Sequence, residues 1–461
     1  MRVYDSLTKK KKEIPKKETI YMYVCGLTPY DHAHLGHART YVAFDVLKRY
    51  LMYKGYNVFH IQNITDVDDK ILRRAKETGK NPIELATKFH NEALELFDKL
   101  NILRADVYPR VSEHIDEIIN LINKIIENGY AYETPTGIYF NVEKFKDYGK
   151  LSGQNIEEIK EKHRIEPDKT KKSPIDFALW KKTKKGDEPV GWQSPFGYGR
   201  PGWHIECSAM ALKYSKGSTI DIHGGARDLI FPHHENEIAQ SEAATGKKFV
   251  DIWIHTGFLT VNGVKMSKSL GNFIILKDAL NKYDPMALRL LFVSTKYNSP
   301  IDFSSKAVEQ AERSLKRIKE ALLFINNKEK ESSINIKLRE AIIENRKKFF
   351  EALEKDFDTP KALSFLFSSI NELFRNQENL DKAALQIAKL FINEFQFIFG
   401  IKIETKTISD REDKAIKAII DIRNELRKEK RYDLADKIRE RLKKIGINLK
   451  DKGEKTEYTI D

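Results

Sequence analysis

The stretch Ile20-Tyr21-Met22-Tyr23-Val24-Cys25-Gly26-Leu27-Thr28-Pro29-Tyr30-Asp31-His32-Ala33-His34-Leu35-Gly36-His37 sets the architecture. Residues 20–26 form a short apolar, β-prone run ending in glycine, which predicts a buried strand. Gly36 and His37 open a helical stretch to about Lys54. Val42, Val46, Leu47, Tyr50 and Leu51 recur there at helical spacing, and Gly55 supplies a stop. Residues 57–64 read as a second strand. Strand, loop, helix and strand make a βαβ unit, whose crossover is right-handed in a parallel sheet. Residues 219–223 and 249–255 supply further strands. The first two-thirds of the chain therefore read as an α/β, doubly wound parallel sheet, with ligands expected at the carboxyl ends of its strands.

Working outward, the pattern changes over residues 116–189. A helix over 116–128 leads into a hairpin over 130–142 and then a Lys/Glu-rich stretch, which looks like an insertion in the sheet order. From about Ser304 the strand signals stop. Amphipathic helices run to Gly400, as Leu315, Ile318, Leu322 and Leu323 illustrate. A polar break over 404–410 precedes another charged helical region to Lys444. At 461 residues, two to four domains are expected.

Residues 1–17 are polar and lysine-rich and do not read as a signal peptide. No apolar run approaches the ~18 residues that a bilayer crossing needs. A cytoplasmic protein without a membrane association is expected. The net charge of +13 suits a nucleic-acid partner, although a lysine-rich composition throughout would give the same balance. Only Cys25 and Cys207 occur, so buried thiols or metal ligands are expected in place of a disulfide framework.

Two segments carry phosphate chemistry. The loop from Thr28 to His37 runs from a strand into a helix start, where free N–H groups and the positive dipole end suit a phosphate chain. His34 and His37 can donate hydrogen bonds to phosphate oxygens, and Gly36 lets a flat adenine ring approach the backbone. Lys265-Met266-Ser267-Lys268-Ser269 follows a hairpin turned at Asn262-Gly263 and precedes Leu270-Gly271-Asn272. Its lysines can neutralise a departing pyrophosphate. Each segment alone also reads as an ordinary helix cap or a solvated basic loop.

A metal constellation joins Cys25, at the end of the first strand, to Cys207 in Gly202-Trp203-His204-Ile205-Glu206-Cys207 and to Phe231-Pro232-His233-His234-Glu235-Asn236-Glu237. Pro232 can start a helix, which puts His233 and Glu237 on one face. Two thiolates, an imidazole and a carboxylate make a plausible tetrahedral Zn2+ set. Two inert thiols beside a polar helix start, or a closed structural zinc, are the other readings.

The two phosphate segments, in this order and each beside a strand, resemble the HIGH and KMSKS motifs of class I aminoacyl-tRNA synthetases. That resemblance implies a Rossmann-type catalytic domain split by an insertion, with a helical domain after it. Cys25-Gly26-Leu27-Thr28, Asn63-Ile64-Thr65-Asp66-Val67-Asp68-Asp69-Lys70, the Gly202 to Cys207 segment and residues 231–240 resemble the cysteinyl-tRNA synthetase family specifically. The similarity runs from about residue 20 to 303. It implies a catalytic domain over 1–115 and 190–303, a connective insertion over 116–189, a tRNA-binding helical bundle over 304–403 and an anticodon-binding module over 404–461.

The family's function follows as an expectation: ATP-dependent activation of L-cysteine to cysteinyl-adenylate, then transfer to the 3′ end of tRNA(Cys). His34, Gly36, His37, Lys265 and Lys268 would bind ATP, and His34, His37, Lys265 and Lys268 would act in catalysis. Cys25, Cys207, His233 and Glu237 would hold one zinc ion that binds the substrate sulfur, with Trp203 and His223 in the cysteine pocket. Mg2+ would accompany ATP. The substrate sulfur would enter as a fifth ligand or displace the weakest one, for which Glu237 is the candidate.

The family usually continues Gly-Gly-Gly-Ser-Asp-Leu where this chain has Gly224-Gly225-Ala226-Arg227-Asp228-Leu229. Arg423 to Lys444 holds ten Lys/Arg against five Asp/Glu and includes Tyr432, a basic helical pair where the family contacts the anticodon. Tyr458 stands where many relatives carry tryptophan. A monomer is expected. Two rivals remain: a cysteine ligase acting on an amino sugar, and a catalytically silent RNA-binding scaffold.

Overall fold

The computed structural model describes every residue except 156, 158–169, 267–269, 329–332, 404–409, 453–454 and 461. It divides into two units, Met1–Lys402 and Ile403–Asp461.

The first unit is organised by a four-stranded sheet in the order Val250–Thr256, Ile220–Ala226, Thr19–Leu27, Asn57–Ile64. All three pairings are parallel. Ile20, Met22, Tyr23, Val24, Ile61, Ile220, Ile222 and Ile252 are fully buried, as strands covered on both faces require. From Thr19–Leu27 the chain first builds the neighbour on one side and later the neighbour on the other. The strand order therefore reverses between Thr19–Leu27 and Ile220–Ala226, the crevice where doubly wound sheets place ligands. Tyr23 faces His223 in register at that seam.

The helix Leu35–Tyr53 makes the first crossover. Its buried face carries Val42, Val46, Leu47, Tyr50 and Leu51, the residues whose spacing announced it. The expected helix near 116–128 is Ile115–Glu127. The hairpin that follows, Ala131–Thr134 and Gly137–Phe140, is joined by Phe177–Lys182 and Gly199–Pro201 into a separate antiparallel sheet. The turn at Asn262-Gly263 has both residues at positive φ, as a tight hairpin needs. Beyond it, Ser305–Lys328, Ile336–Glu354, Thr359–Arg375 and Lys382–Phe399 form the helical region.

An element hidden in the lysine-rich start is the hairpin Arg2–Asp5 with Lys10–Glu13. Asp5, fully buried, explains it: its carboxylate accepts from the backbone N–H groups of Leu7, Thr8 and Trp253.

The second unit comprises helices Asp410–Lys428 and Tyr432–Lys444 and the hairpin Ile447–Lys452 with Lys455–Ile460. Ile416, Ile420, Leu442, Ile447 and Leu449 form its small core. Most of the polar break expected at 404–410 lies outside the described residues.

Candidate active site

Cys25 reaches the seam because its strand runs on into the histidine loop. Gly26, the next residue, lies so close to the neighbouring strand that a Cβ there would sit 1.6 Å from the Asn63 carbonyl oxygen. Its N–H donates to Asn63 Oδ1 at 2.8 Å. Tyr41, from the crossover helix, donates its hydroxyl to the Cys25 carbonyl at 3.1 Å. Cys207 arrives on the helix Trp203–Tyr214. His233 lies in an irregular turn, Ile230–His234, and Glu237 in the first turn of the helix Glu235–Thr245. The helix proper thus starts three residues after Pro232, yet His233 still reaches Glu237, with Nε2 3.0 Å from Oε1.

The ligand atoms of Cys25, Cys207, His233 and Glu237 all lie within 4.8 Å of one another, and all four residues are buried. A second set satisfies the same condition: Cys25, His223, His234 and Glu237. His234 is the residue that sequence reasoning missed. Its Nε2 lies 3.2 Å from Cys25 Sγ, and its Nδ1 pairs with His255 Nε2 at 2.7 Å. At i, i+3 it shares the Glu237 face as well as His233 does, so spacing alone could not choose between them.

Charges within the site are strongly displaced. Burial works against the Glu237 carboxylate, but the imidazoles of His223 and His233 outweigh it and hold the group well below the usual carboxylate range. Burial also opposes a charged His233, and the Glu237 and Cys207 anions reverse that, raising it. Burial and the hydrogen bond with Cys207 push Cys25 up. Burial would do the same to Cys207, but the hydrogen bond from Cys25 and the charge of His233 bring it down. One thiol of the pair is thus biased towards thiolate beside a committed carboxylate. Two sulfurs, an imidazole and a carboxylate suit a borderline-soft, tetrahedral ion such as zinc.

The expected cysteine-pocket residues stand at this cluster. Trp203, 36% exposed, stacks on His233 with ring centroids 4.5 Å apart. His223 lies between Tyr23 and Trp253 and bonds Glu237 Oε2 through Nε2 at 2.8 Å.

The phosphate segments also come together. His34 caps the helix Leu35–Tyr53, accepting from the His37 N–H, and the two imidazole rings stack 3.5 Å apart. Burial and the neighbouring His34 push His37 well below its ordinary value. A Cβ on Gly36 would stand 3.0 Å from the His34 ring and 3.5 Å from Met266 Cε. The chain after the lysine loop pairs with the histidine loop: Leu35 N–H donates to Ile274 O and Leu276 N–H to Ala33 O, at 3.2 and 2.8 Å. Lys265 is exposed, its ammonium 5.2 Å from the Phe258 ring centre. Lys268 lies outside the described residues.

Comparison with known proteins agrees with this layout. Residues 11–313 match the family model described as tRNA synthetases class I (C) catalytic domain, and residues 348–404 match the DALR domain. Among solved structures, a methionyl-tRNA synthetase from Mycobacterium tuberculosis, in complex with methionyl-adenylate, superposes with a TM-score of 0.62. The match is 16% identical and covers 83% of this chain and 90% of that one, a likeness of fold. Sheet, site and family match together define a class I aminoacyl-tRNA synthetase.

Curated relatives narrow the class. The cysteine--tRNA ligase of Pyrococcus abyssi is 49% identical over 99% of this chain and 98% of its own length. That of Thermococcus gammatolerans is 48% identical over 98% and 97%, and that of Carboxydothermus hydrogenoformans 46% over 98% and 98%. The chain belongs to the cysteine--tRNA ligase family. No helix among the described residues is long and apolar enough to cross a membrane.

Proposed function

We propose that this ligase activates L-cysteine with ATP, as cysteinyl-adenylate, and passes it to the 3′ end of tRNA(Cys), using zinc to reject serine. One observation carries the reading: the ligand atoms of Cys25, Cys207, His233 and Glu237 converge within 4.8 Å, at the seam where the strand order reverses. A pocket that relies on size and apolar contact separates near-isosteric side chains by only about a hundredfold. A zinc ion bound by these four residues supplies a soft centre that favours a thiolate over a hydroxyl group.

The chain's own groups do the rest. Trp203 and His223 wall the cysteine pocket. His223 and His233 hold the Glu237 carboxylate in place and in its charged form. His34, Gly36 and His37 receive the nucleotide, which brings Mg2+ with it. As the cysteine carboxylate attacks the α-phosphorus, His34 and His37 donate hydrogen bonds to phosphate oxygens, and Lys265 and Lys268 neutralise the departing pyrophosphate. The terminal ribose of the tRNA then attacks the adenylate carbonyl. Catalysis is positioning plus electrostatics. In this reading residues 1–115 and 190–303 are the catalytic domain, 116–189 the connective insertion, 304–403 a tRNA-binding bundle and 404–461 the anticodon-binding module. The enzyme works as a cytoplasmic monomer.

ATP–pyrophosphate exchange tests the proposal. Cysteine should support exchange and serine should not, and a zinc chelator should abolish the difference. Charging of tRNA, with an amino sugar as the competing acceptor, tests the second half. Equal exchange with serine would overturn the selectivity reading.

A further inference from the structure

The lysine segment leaves a small sheet of its own, in the order Val264–Lys265, Leu259–Val261, Ile301–Phe303. Leu259–Val261 pairs antiparallel with Val264–Lys265 across the turn at Asn262-Gly263, and parallel with Ile301–Phe303. Thr260 thus stands opposite Lys265 on one side and opposite Asp302 on the other. Val264 and Lys265 are both exposed, so packing holds the outer strand weakly. Asp302 supplies a clasp. Its Oδ1 accepts from the Thr260 hydroxyl at 2.8 Å and from the Gly263 N–H at 2.6 Å. One carboxylate oxygen therefore grips both the residue facing Lys265 and the turn that leads to it. Hydrogen bonds to an ionised acceptor are roughly twice as strong as neutral ones.

Ile301 and Phe303 are buried on either side of exposed Asp302, so its strand is seated by its neighbours and the carboxylate serves the hairpin. The same stretch is tied to the histidine segment. Arg39, buried and two residues after His37, donates from its guanidinium to the carbonyls of Tyr297, at 3.1 Å, and Ser299. A Cβ on Gly257, just ahead of the hairpin, would stand 2.3 Å from that Ser299 oxygen. Residues 297–303 therefore touch both phosphate segments, through Arg39 on the histidine side and through Asp302 on the lysine side.

We infer that Asp302 is a positioning residue for adenylate formation: it fixes the strand opposite Lys265, and so where that ammonium meets the departing pyrophosphate. The inference rests on the proposed reading of Lys265 and adds the group that aims it. Electrostatic stabilisation works when the charge is in place before the reaction begins. A misplacement of about 1 Å can cost about a hundredfold in rate.

The test is single-turnover formation of cysteinyl-adenylate by the full-length chain, with ATP and cysteine each varied. Asp302→Ala should lower the maximal rate about tenfold or more, while the cysteine concentration giving half the maximal rate and the zinc content stay unchanged. Asp302→Asn keeps an oxygen acceptor in the same place and should recover most of the rate. Thr260→Val should reproduce part of the loss. In a Lys265→Ala background, Asp302→Ala should have little further effect, because both changes remove the same interaction. A merely structural role predicts instead that the two losses multiply. A wild-type rate in Asp302→Ala, or a full further loss in the Lys265→Ala background, would overturn the inference and leave the proposed function standing. An active wild type whose Lys265→Ala variant keeps its full rate would overturn it as well, by removing the group that Asp302 aims. No adenylate from the wild type with cysteine would count against the proposed function itself, and the inference would fall with it.

Discussion

The guanidinium of Arg289 and the carboxylate of Asp45 meet where neither side chain sees solvent. Asp45 lies on the helix that begins beside His34, and Arg289 on Pro285–Val293, the helix that follows the lysine loop by way of Leu276–Lys282. Arg289 also donates to the carbonyls of Phe399 and Leu100, at 2.5 and 2.9 Å, so a single cation ties the crossover helix to the end of the helical region. Asp45→Asn leaves that guanidinium buried without its counter-charge and should cost about 3–5 kcal/mol. Chemical denaturation, followed by far-ultraviolet circular dichroism, measures it.

Acid should act at the same place. Burial opposes the charged form of Asp45, but Arg289 and Arg49 outweigh it and hold the carboxyl below its ordinary value. Its contribution to stability is therefore fully present above the unfolded carboxylate value, ~3.9, and is lost as pH falls below that towards the folded value. Asp45→Asn should flatten the acid limb of the stability curve. An acid limb identical to that of the wild type would show that other groups control it.

Removing a thiol separates the two halves of the site. Cys25→Ser or Cys207→Ser should lower zinc content, measured by atomic emission on dialysed protein, and should depress cysteine-dependent exchange by about a hundredfold or more. ATP binding, which the proposed function gives to the histidine and lysine segments, should persist.

His223 contacts the site through Glu237. His223→Asn should weaken zinc binding by about 10- to 100-fold, the usual effect of losing a partner that orients a ligand. Competition with a chromophoric chelator reads this directly. Unchanged affinity would mean that Glu237 needs no such support.

At the nucleotide end, His37→Ala should slow adenylate formation by about 10²–10³ if its hydrogen bond strengthens in the transition state. Gly36→Ala should impair the same step, because the added methyl would press on the His34 ring. Single-turnover measurement with cysteine and ATP distinguishes a loss of rate from a loss of nucleotide affinity.

The parallel sheet was legible because apolar strands and an amphipathic crossover helix write their periods into the chain, as Val24, Val46 and Leu47 do. The convergence of the cysteines with His233 was legible because few residue types suit a soft metal, and the fold brings these together. What stayed hidden depended on tertiary partners. The first hairpin reads as charged, and buried Asp5 makes it structural by capping backbone groups of Trp253 and its own turn. Arg423 counted among the basic residues of its helical pair, yet it is buried and bonds Asp451 at 2.9 and 3.0 Å, so it supports its own unit. His234 was invisible for a third reason: adjacent histidines differ only in which way the turn at Pro232 points them.

Both candidate sets of metal ligands at the seam draw on the sulfur of Cys25 and the carboxylate of Glu237. Two cations sharing that sulfur and that carboxylate would stand a few ångströms apart in a buried site, and their mutual repulsion disfavours filling both arrangements at once. A titration should therefore saturate at one equivalent per polypeptide, even though six side chains are on offer.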